Sequence, residues 1–225
     1  MGGKGLFVKE IEEALLDGRV HLAVHSMKDV PTFFPAVLHL RCITKREDPR
    51  DAVFSRSGVK LFDLPKGAKI GTASLRRQSQ ILRHRPDFEI ISLRGNLDSR
   101  LRKLDEGQFD AIILAGAGVK RLGWEAKITE LLSADISLPA IGQGALGIET
   151  HTDDAYINDL VAFFDHPETS YAVRSERALL KRLEGGCQVP IAAYGALDGD
   201  TLKLTGLVSS TDGKTIIKDA LAGPK

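Results

Sequence analysis

Lys69-Ile70-Gly71-Thr72-Ala73-Ser74-Leu75-Arg76-Arg77 is the stretch whose reading decides the fold. Lys69 to Thr72 reads as a short strand that runs into a glycine turn, and Ser74 is placed to cap a helix from Leu75 to about Arg85. The same pattern then repeats. Phe88 to Leu93 reads as a strand, Asn96 to Glu106 as a helix ended by Gly107, and Phe109 to Ala115 as a buried strand. Strand, helix, strand, helix and strand in this order make an α/β unit of about 90 residues. Gly116 and Gly118 lead into a helical turn at Val119 to Leu122, and Lys127 to Leu132 reads as another.

Toward the N-terminus, Leu6 to Leu16 reads as an amphipathic helix, with Leu6, Ile11, Ala14 and Leu15 sharing a face and Gly18 as the stop. Val20 to Val24 is a short strand. Its carboxyl end carries His25-Ser26-Met27-Lys28-Asp29-Val30-Pro31, at the edge where α/β domains bind ligands. Lys28 and Asp29 are either solvent charges on a strand-end turn or part of such a site. His25 is either a hydrogen-bonded structural histidine or a base. Val37 to Ile43 is the next strand, and the charge run Lys45 to Asp51 reads as a crossing between domains ahead of a strand at Ala52 to Phe54. Pro65-Lys66-Gly67 is a turn.

Toward the C-terminus, Gly142, Gly144 and Gly147 match the dinucleotide spacing GxGxxG. The match is rejected, because no strong strand precedes it and Ala145 to Thr150 reads as a strand where a helix is required. The segment is a connection back to the first domain. Asp153 to Phe164 reads as a helix, Pro167 as a break, and Ser170 to Leu183 as a strong helix. Val189 to Leu197, Thr201 to Ser209 and Thr215 to Asp219 read as an antiparallel meander turning at Asp198-Gly199-Asp200 and Thr211-Asp212-Gly213.

The 225 residues are 43% hydrophobic and 27% charged, which suits a soluble chain with a core of its own. A formal net charge of +1 gives no global attraction to nucleic acid, so any anion site must come from local clustering. The two cysteines, Cys42 and Cys187, form no disulfide framework, and a reducing cytoplasm is the plain reading. No signal peptide or membrane span is visible. No second ligand at metal spacing follows His25, so no metal site is expected. Both ends are abrupt, and the sequence reads as a piece of a longer protein.

Local clustering is what the middle domain has. Arg76, Arg77, Arg83, Arg85, Arg94, Arg100 and Arg102 lie between Gly71 and Arg102, and Arg121 follows the next strand. Arg76 and Arg77 occupy a helix's first turn, where acids are preferred, and Arg94 opens the next helix. A bound anion between these guanidiniums and the free N–H groups would justify them, and the arginine fork suits carboxylate or phosphate. Arg83, Arg85 and Arg102 read instead as solvated surface or as partners for Asp87, Glu89 and Asp98. Nucleic acid is the rival ligand, disfavoured because the region offers few aromatics for stacking bases and no nucleic-acid motif. Cys187 stands in Leu183-Glu184-Gly185-Gly186-Cys187-Gln188-Val189-Pro190, whose glycines and proline make a loop. It is either an incidental thiol or a nucleophile or attachment point, while Cys42 lies in an apolar run and reads as core.

In six stretches, in order, the chain resembles the porphobilinogen deaminase family, also called hydroxymethylbilane synthases. They are Gly2 to Phe7, His25 to Pro31, Gly71 to Arg77, Leu93 to Asn96, Leu138 to Gly144 and Leu183 to Cys187. The resemblance implies an α/β fold of two periplasmic-binding-protein-like domains, the first discontinuous and here incomplete, plus a small α+β third domain with an antiparallel sheet. The boundaries expected are 1–45 and 141–164 for the first domain, 46–140 for the second and 165–225 for the third. Family members run longer at both ends.

The resemblance further implies a dipyrromethane cofactor joined to Cys187 as a thioether, onto which four porphobilinogen molecules are added with loss of ammonia to give hydroxymethylbilane. By the family's pattern Asp29 handles the proton at the departing amine, with Lys28 beside it. Arg76, Arg77, Arg94, Arg100 and Arg121 hold the carboxylates of cofactor and growing chain, with Lys4 and Ser74 also at the cofactor. The partners are small polycarboxylates, with no nucleic acid and no membrane, and the protein is a cytoplasmic monomer. The alternative is a fragment or anion-binding module that keeps the arginine cleft without turnover.

Overall fold

A computed structural model describes residues 4–184 and 189–225, with the side chains of residues 4–7 outside that description. In chain order the helices are α1 (Lys4–Leu16), α2 (Leu75–His84), α3 (Leu97–Asp105), α4 (Gly116–Arg121), α5 (Ala155–Val161) and α6 (Pro167–Arg182). The strands are β1 (Leu22–Ser26), β2 (Leu38–Ile43), β3 (Asp51–Ser55), β4 (Lys69–Gly71), β5 (Glu89–Ile91), β6 (Ala111–Ala115), β7 (Glu130–Leu131), β8 (Leu146–His151), β9 (Ile191–Asp198), β10 (Thr201–Ser209) and β11 (Ile216–Pro224).

Three sheets organise these elements. The first has the order β1-β8-β2, with β8 antiparallel to both neighbours, so the chain leaves this sheet after β2 and returns to its middle. The second has the order β5-β4-β6-β3-β7, with β4 parallel to β5 and β6 and β3 antiparallel to β6 and β7. The third is the meander β11-β10-β9.

The second sheet shows why the interior of β3 and the length of β6 are apolar. Side chains alternate between two faces. Val53, Ile70, Ile113 and Ile81 fill one core, while Phe54, Ile112, Leu114, Leu101 and Leu104 fill another. A sheet covered on both faces has no polar side to show. Ser74 caps α2 as read, accepting from the Arg77 amide, while Asn96, read as the first helical residue, instead caps α3 by accepting from the Ser99 amide at 2.9 Å.

Three local readings are corrected. Lys127 to Leu132 is not a helical turn: a 3-10 turn at Glu125–Lys127 leads into β7, which pairs with β3. Pro167 starts α6 rather than only breaking the chain, since its missing N–H costs nothing at the first helical position. The helical turn expected at Val119 begins three residues earlier in the sequence, at Gly116.

The two crossings between the first and second sheets pack tightly. Gly142 takes φ +70° and Gly144 φ +90°. A Cβ at Gly142 would come within 2.6 Å of the Met27 Cβ, and one at Gly144 would strike the Glu47 carbonyl, so only glycine fits either place. Buried Met27 thereby seats the turn that carries Lys28 and Asp29 against the second crossing.

Candidate active site

The carboxyl ends of β4, β5 and β6 point the same way, and each delivers arginines to that edge. β4 leads to Ser74, Arg76 and Arg77, β5 to Arg94 and Arg100, and β6 to Arg121 at the end of α4. From the first sheet, β1 ends in the 3-10 turn Met27–Asp29, whose Lys28 and Asp29 are half-buried.

Asp29 and Arg100 act on each other across the two lobes. Burial pushes the Arg100 guanidinium down from its ordinary value, and the Asp29 charge pulls it back up. Arg100 Nε donates to the Gly95 carbonyl at 2.8 Å, and Lys103 Nζ donates to the Arg94 carbonyl at 3.2 Å, which fixes the turn that carries Arg94. Arg94 and Arg121 are exposed.

Arg76 and Arg77 differ from these in having a protein counter-charge, which the sequence did not reveal. Both are buried around Asp51, the first residue of β3. Arg76 Nη1 donates to Asp51 Oδ2 at 2.8 Å and to the Leu138 carbonyl at 2.7 Å. Arg77 Nε donates to Asp51 Oδ1 at 2.9 Å, its Nη1 to the Ile113 carbonyl at 3.0 Å, and Gln143 Nε2 closes the set on Asp51 Oδ1 at 2.9 Å. Burial alone would push the Asp51 carboxyl up. The two guanidiniums and the Gln143 amide overcome that and hold it far below the usual carboxylate range. A buried acid therefore stands against the two cations at this helix start, one carboxylate to two guanidiniums.

His25 is resolved toward structure. Its Nε2 lies 2.7 Å from Glu149 Oε2, and both side chains are buried. Glu12 stands near this pair, and its carboxyl is pushed up by burial and by the Glu149 charge, with His25 opposing. Cys42 is fully buried, and burial pushes its thiol up, so it is core as read. Cys187 lies outside the described residues. Lys4 begins α1, and its side chain is outside the description too. Arg85 pairs with Asp87 at 2.7 Å as read, whereas Arg102 pairs with Glu106 at 3.7 Å, and Arg83 donates to the Lys214 carbonyl at 3.5 Å. Among the described residues no group of three or more His, Cys, Asp or Glu could hold a metal ion, and no helix is long and apolar enough to cross a membrane.

Two acids missed in the sequence hold the lobes together. Asp51 is one. Glu176 of α6 is the other: fully buried, it accepts from Arg46 Nη1 at 2.8 Å and Nη2 at 2.9 Å, from the Gly142 amide at 2.7 Å and from the Gly195 amide at 2.8 Å. Those donors come from the first crossing, the second crossing and β9. Asp51 abuts the apolar run Ala52-Val53-Phe54, which does not say which way its side chain turns, and Glu176 is an acid inside a helix with an apolar face.

Fold and site together define a protein of two α/β lobes joined by a double crossing, with a carboxylate turn of one facing an arginine-bearing edge of the other. Residues 1–159 match the family model "Porphobilinogen deaminase, dipyromethane cofactor binding domain", and residues 170–223 match "Porphobilinogen deaminase, C-terminal domain". The chain is 62% identical over 224 residues to a porphobilinogen deaminase of Geotalea uraniireducens, covering 100% of this chain and 70% of that protein. It is 60% identical over 224 residues to that of Geobacter sulfurreducens, with the same coverage of 100% and 70%. The chain belongs to the porphobilinogen deaminase family. Among solved structures, the Bordetella pertussis BvgS periplasmic VFT2 domain is similar at a TM-score of 0.41 and 14% identity, over 78% of this chain and 72% of that one. A substrate binding protein of an amino acid ABC transporter is similar at a TM-score of 0.37 and 16% identity, over 77% and 70%.

Proposed function

We propose that the chain condenses four porphobilinogen molecules head to tail on a cysteine-linked dipyrromethane, losing ammonia at each addition and releasing hydroxymethylbilane. Family membership supports the reaction. The observation that supports it at this site is Asp29, half-buried at the carboxyl end of β1 on a turn seated by buried Met27. Discrete domains at 1–45 with 141–164, 46–140 and 165–225 belong to the same reading, as do a monomeric state and cytoplasmic residence.

The donor set suits a polycarboxylate. Arg94 and Arg121 are exposed at one edge, Arg100 is half-buried beside them, and Lys28 faces from the other lobe. Planar forks of this kind grip acetate and propionate arms bidentately. Lys4, Ser74, Arg76 and Arg77 join them at the cofactor by the family pattern, the last two tied to the edge through Asp51. A dipyrromethane on Cys187 supplies the terminal pyrrole to which the first substrate joins.

Asp29 then has two tasks. As an acid it gives a proton to the substrate's aminomethyl nitrogen, the C–N bond breaks and ammonia leaves. As a carboxylate it stands beside the electron-poor pyrrole left behind until the new C–C bond forms. The attacked ring releases one proton, and taking it back returns Asp29 to its starting state.

Intact mass after expression with porphobilinogen available, followed by turnover with porphobilinogen, tests the reading. An adduct of dipyrromethane mass that maps to Cys187, is lost in Cys187→Ser and survives in Cys42→Ser is the expected result. A bare polypeptide that binds polycarboxylates without turnover would return the chain to an anion-binding module.

A further inference from the structure

The segment that follows Asp29 is gripped by α6. Arg177 Nη2 donates to the Pro31 carbonyl at 2.6 Å and Nη1 to the Val30 carbonyl at 3.1 Å, directly after Asp29. Its guanidinium lies 5.7 Å from the centre of the Phe34 ring. One turn further along α6, Lys181 Nζ lies 5.2 Å from the centre of the Phe33 ring. Residues four apart share a helix face, so both cations clasp one segment, residues 30–34.

We propose that Arg177 is a positioning residue for the condensation: it fixes where Asp29 stands by tying the catalytic turn to α6. The inference rests on the reaction proposed above. Three features support it. The grip is on backbone, so it sets where the turn lies whatever side chains the loop carries. The planar fork spans two successive carbonyls, which a lysine ammonium cannot copy. And the placement works against the cation's own stability, since burial and the neighbouring Arg174 charge both push Arg177 below its ordinary value. Glu176, the adjacent residue, holds α6 to both crossings, so the anchor on the far side of the tie is rigid.

The test uses the holoenzyme with Arg177→Ala, Arg177→Gln and Arg177→Lys. With adduct mass intact and KM for porphobilinogen within about threefold, kcat should fall about ten- to a hundredfold in the first two, the scale of an ångström-sized misplacement. Arg177→Lys should recover part of the loss. Arg177 also lines an open cavity of about 540 Å³ with Arg41 and Arg174, so free guanidinium at sub-denaturing concentration should restore kcat in Arg177→Ala. Parent-like kcat in Arg177→Ala, or a loss confined to KM, overturns the inference. Should Arg177→Ala lose its fold or its adduct, Arg177→Lys decides alone: full parent kcat there sinks the proposal. If the parent itself shows neither adduct nor turnover, the reaction reading falls instead. The tie is then judged by hydrogen exchange at the Asp29 and Val30 amides, expected faster in Arg177→Gln and, if unchanged, fatal to the tie.

Discussion

Asp29 and its neighbours show what one residue can be asked to do. Asp29→Asn keeps shape and some hydrogen bonding but removes the proton and the charge. Turnover should fall about a hundredfold or more while the melting temperature stays near the parent's, because the turn is seated by buried Met27 rather than by Asp29. Steady-state rates beside thermal melts check this. Among the arginines, position in the fold separates two outcomes that the sequence could not. Arg94→Lys, at an exposed site, should lower turnover or cofactor loading with an unchanged melt. Arg76→Lys should lower the melt itself, because a single ammonium cannot reproduce the fork by which Nη1 and Nη2 each reach one oxygen of the buried Asp51. A melt unchanged in Arg76→Lys would return that arginine to the ligand.

At the scale of elements, the strand-helix alternation from Lys69 to Ala115 was legible because apolar runs, caps and stop glycines all agreed there. The meander was legible from its two glycine turns. The short strand β7 was not: two residues carry no period, and pairing with β3 decided the matter. The buried acids were hidden for a different reason. Asp51 stands at the end of the charge run Lys45 to Asp51, and nothing in the chain says that the run's last member turns inward while Lys45 stays exposed. Once seen, Asp51 makes a prediction about the second sheet's edge. Its folded carboxyl is held far below the ordinary value, so its contribution to stability is complete above about pH 4 and is lost as the pH falls further toward the folded value. The parent should therefore weaken steeply in acid. Asp51→Asn should be less stable by about 3–5 kcal/mol at neutral pH, because Arg76 and Arg77 stay buried with their counter-charge gone, and its acid dependence should be flatter. Urea titrations at several pH values read both effects.

For the molecule as a whole, the question is whether the third sheet moves with the other two or merely hangs from them. Its docking is not one contact. Ser209 Oγ bonds Ser79 Oγ at 2.7 Å, Gln78 Nε2 donates to the Thr211 carbonyl at 3.2 Å, and Gly213 packs on the α2 backbone so closely that any Cβ would strike the Ser79 carbonyl. Those contacts hold the β10–β11 turn to the second lobe but leave α6 unaccounted for. Glu176 supplies that link, because its two oxygens gather both crossings and β9 at one buried point. Arg46, with a side chain only 10% exposed, has been taken out of water to meet it. Glu176→Gln keeps the volume and can still accept one or two of the four bonds, but it leaves the Arg46 charge buried without its counterpart. Loss of one member of a buried pair costs about 3–5 kcal/mol. If the knot couples the lobes, that cost should appear as lost cooperativity: the parent melts in one transition, and Glu176→Gln melts in two, with the third sheet leaving first. Restoring charge balance with Arg46→Met in the same chain should recover much of the stability, since a double mutant with neither charge no longer buries one alone. A single transition in Glu176→Gln at the parent's temperature would mean that the α2 contacts suffice and that the buried carboxylate is dispensable to the assembly of the three lobes.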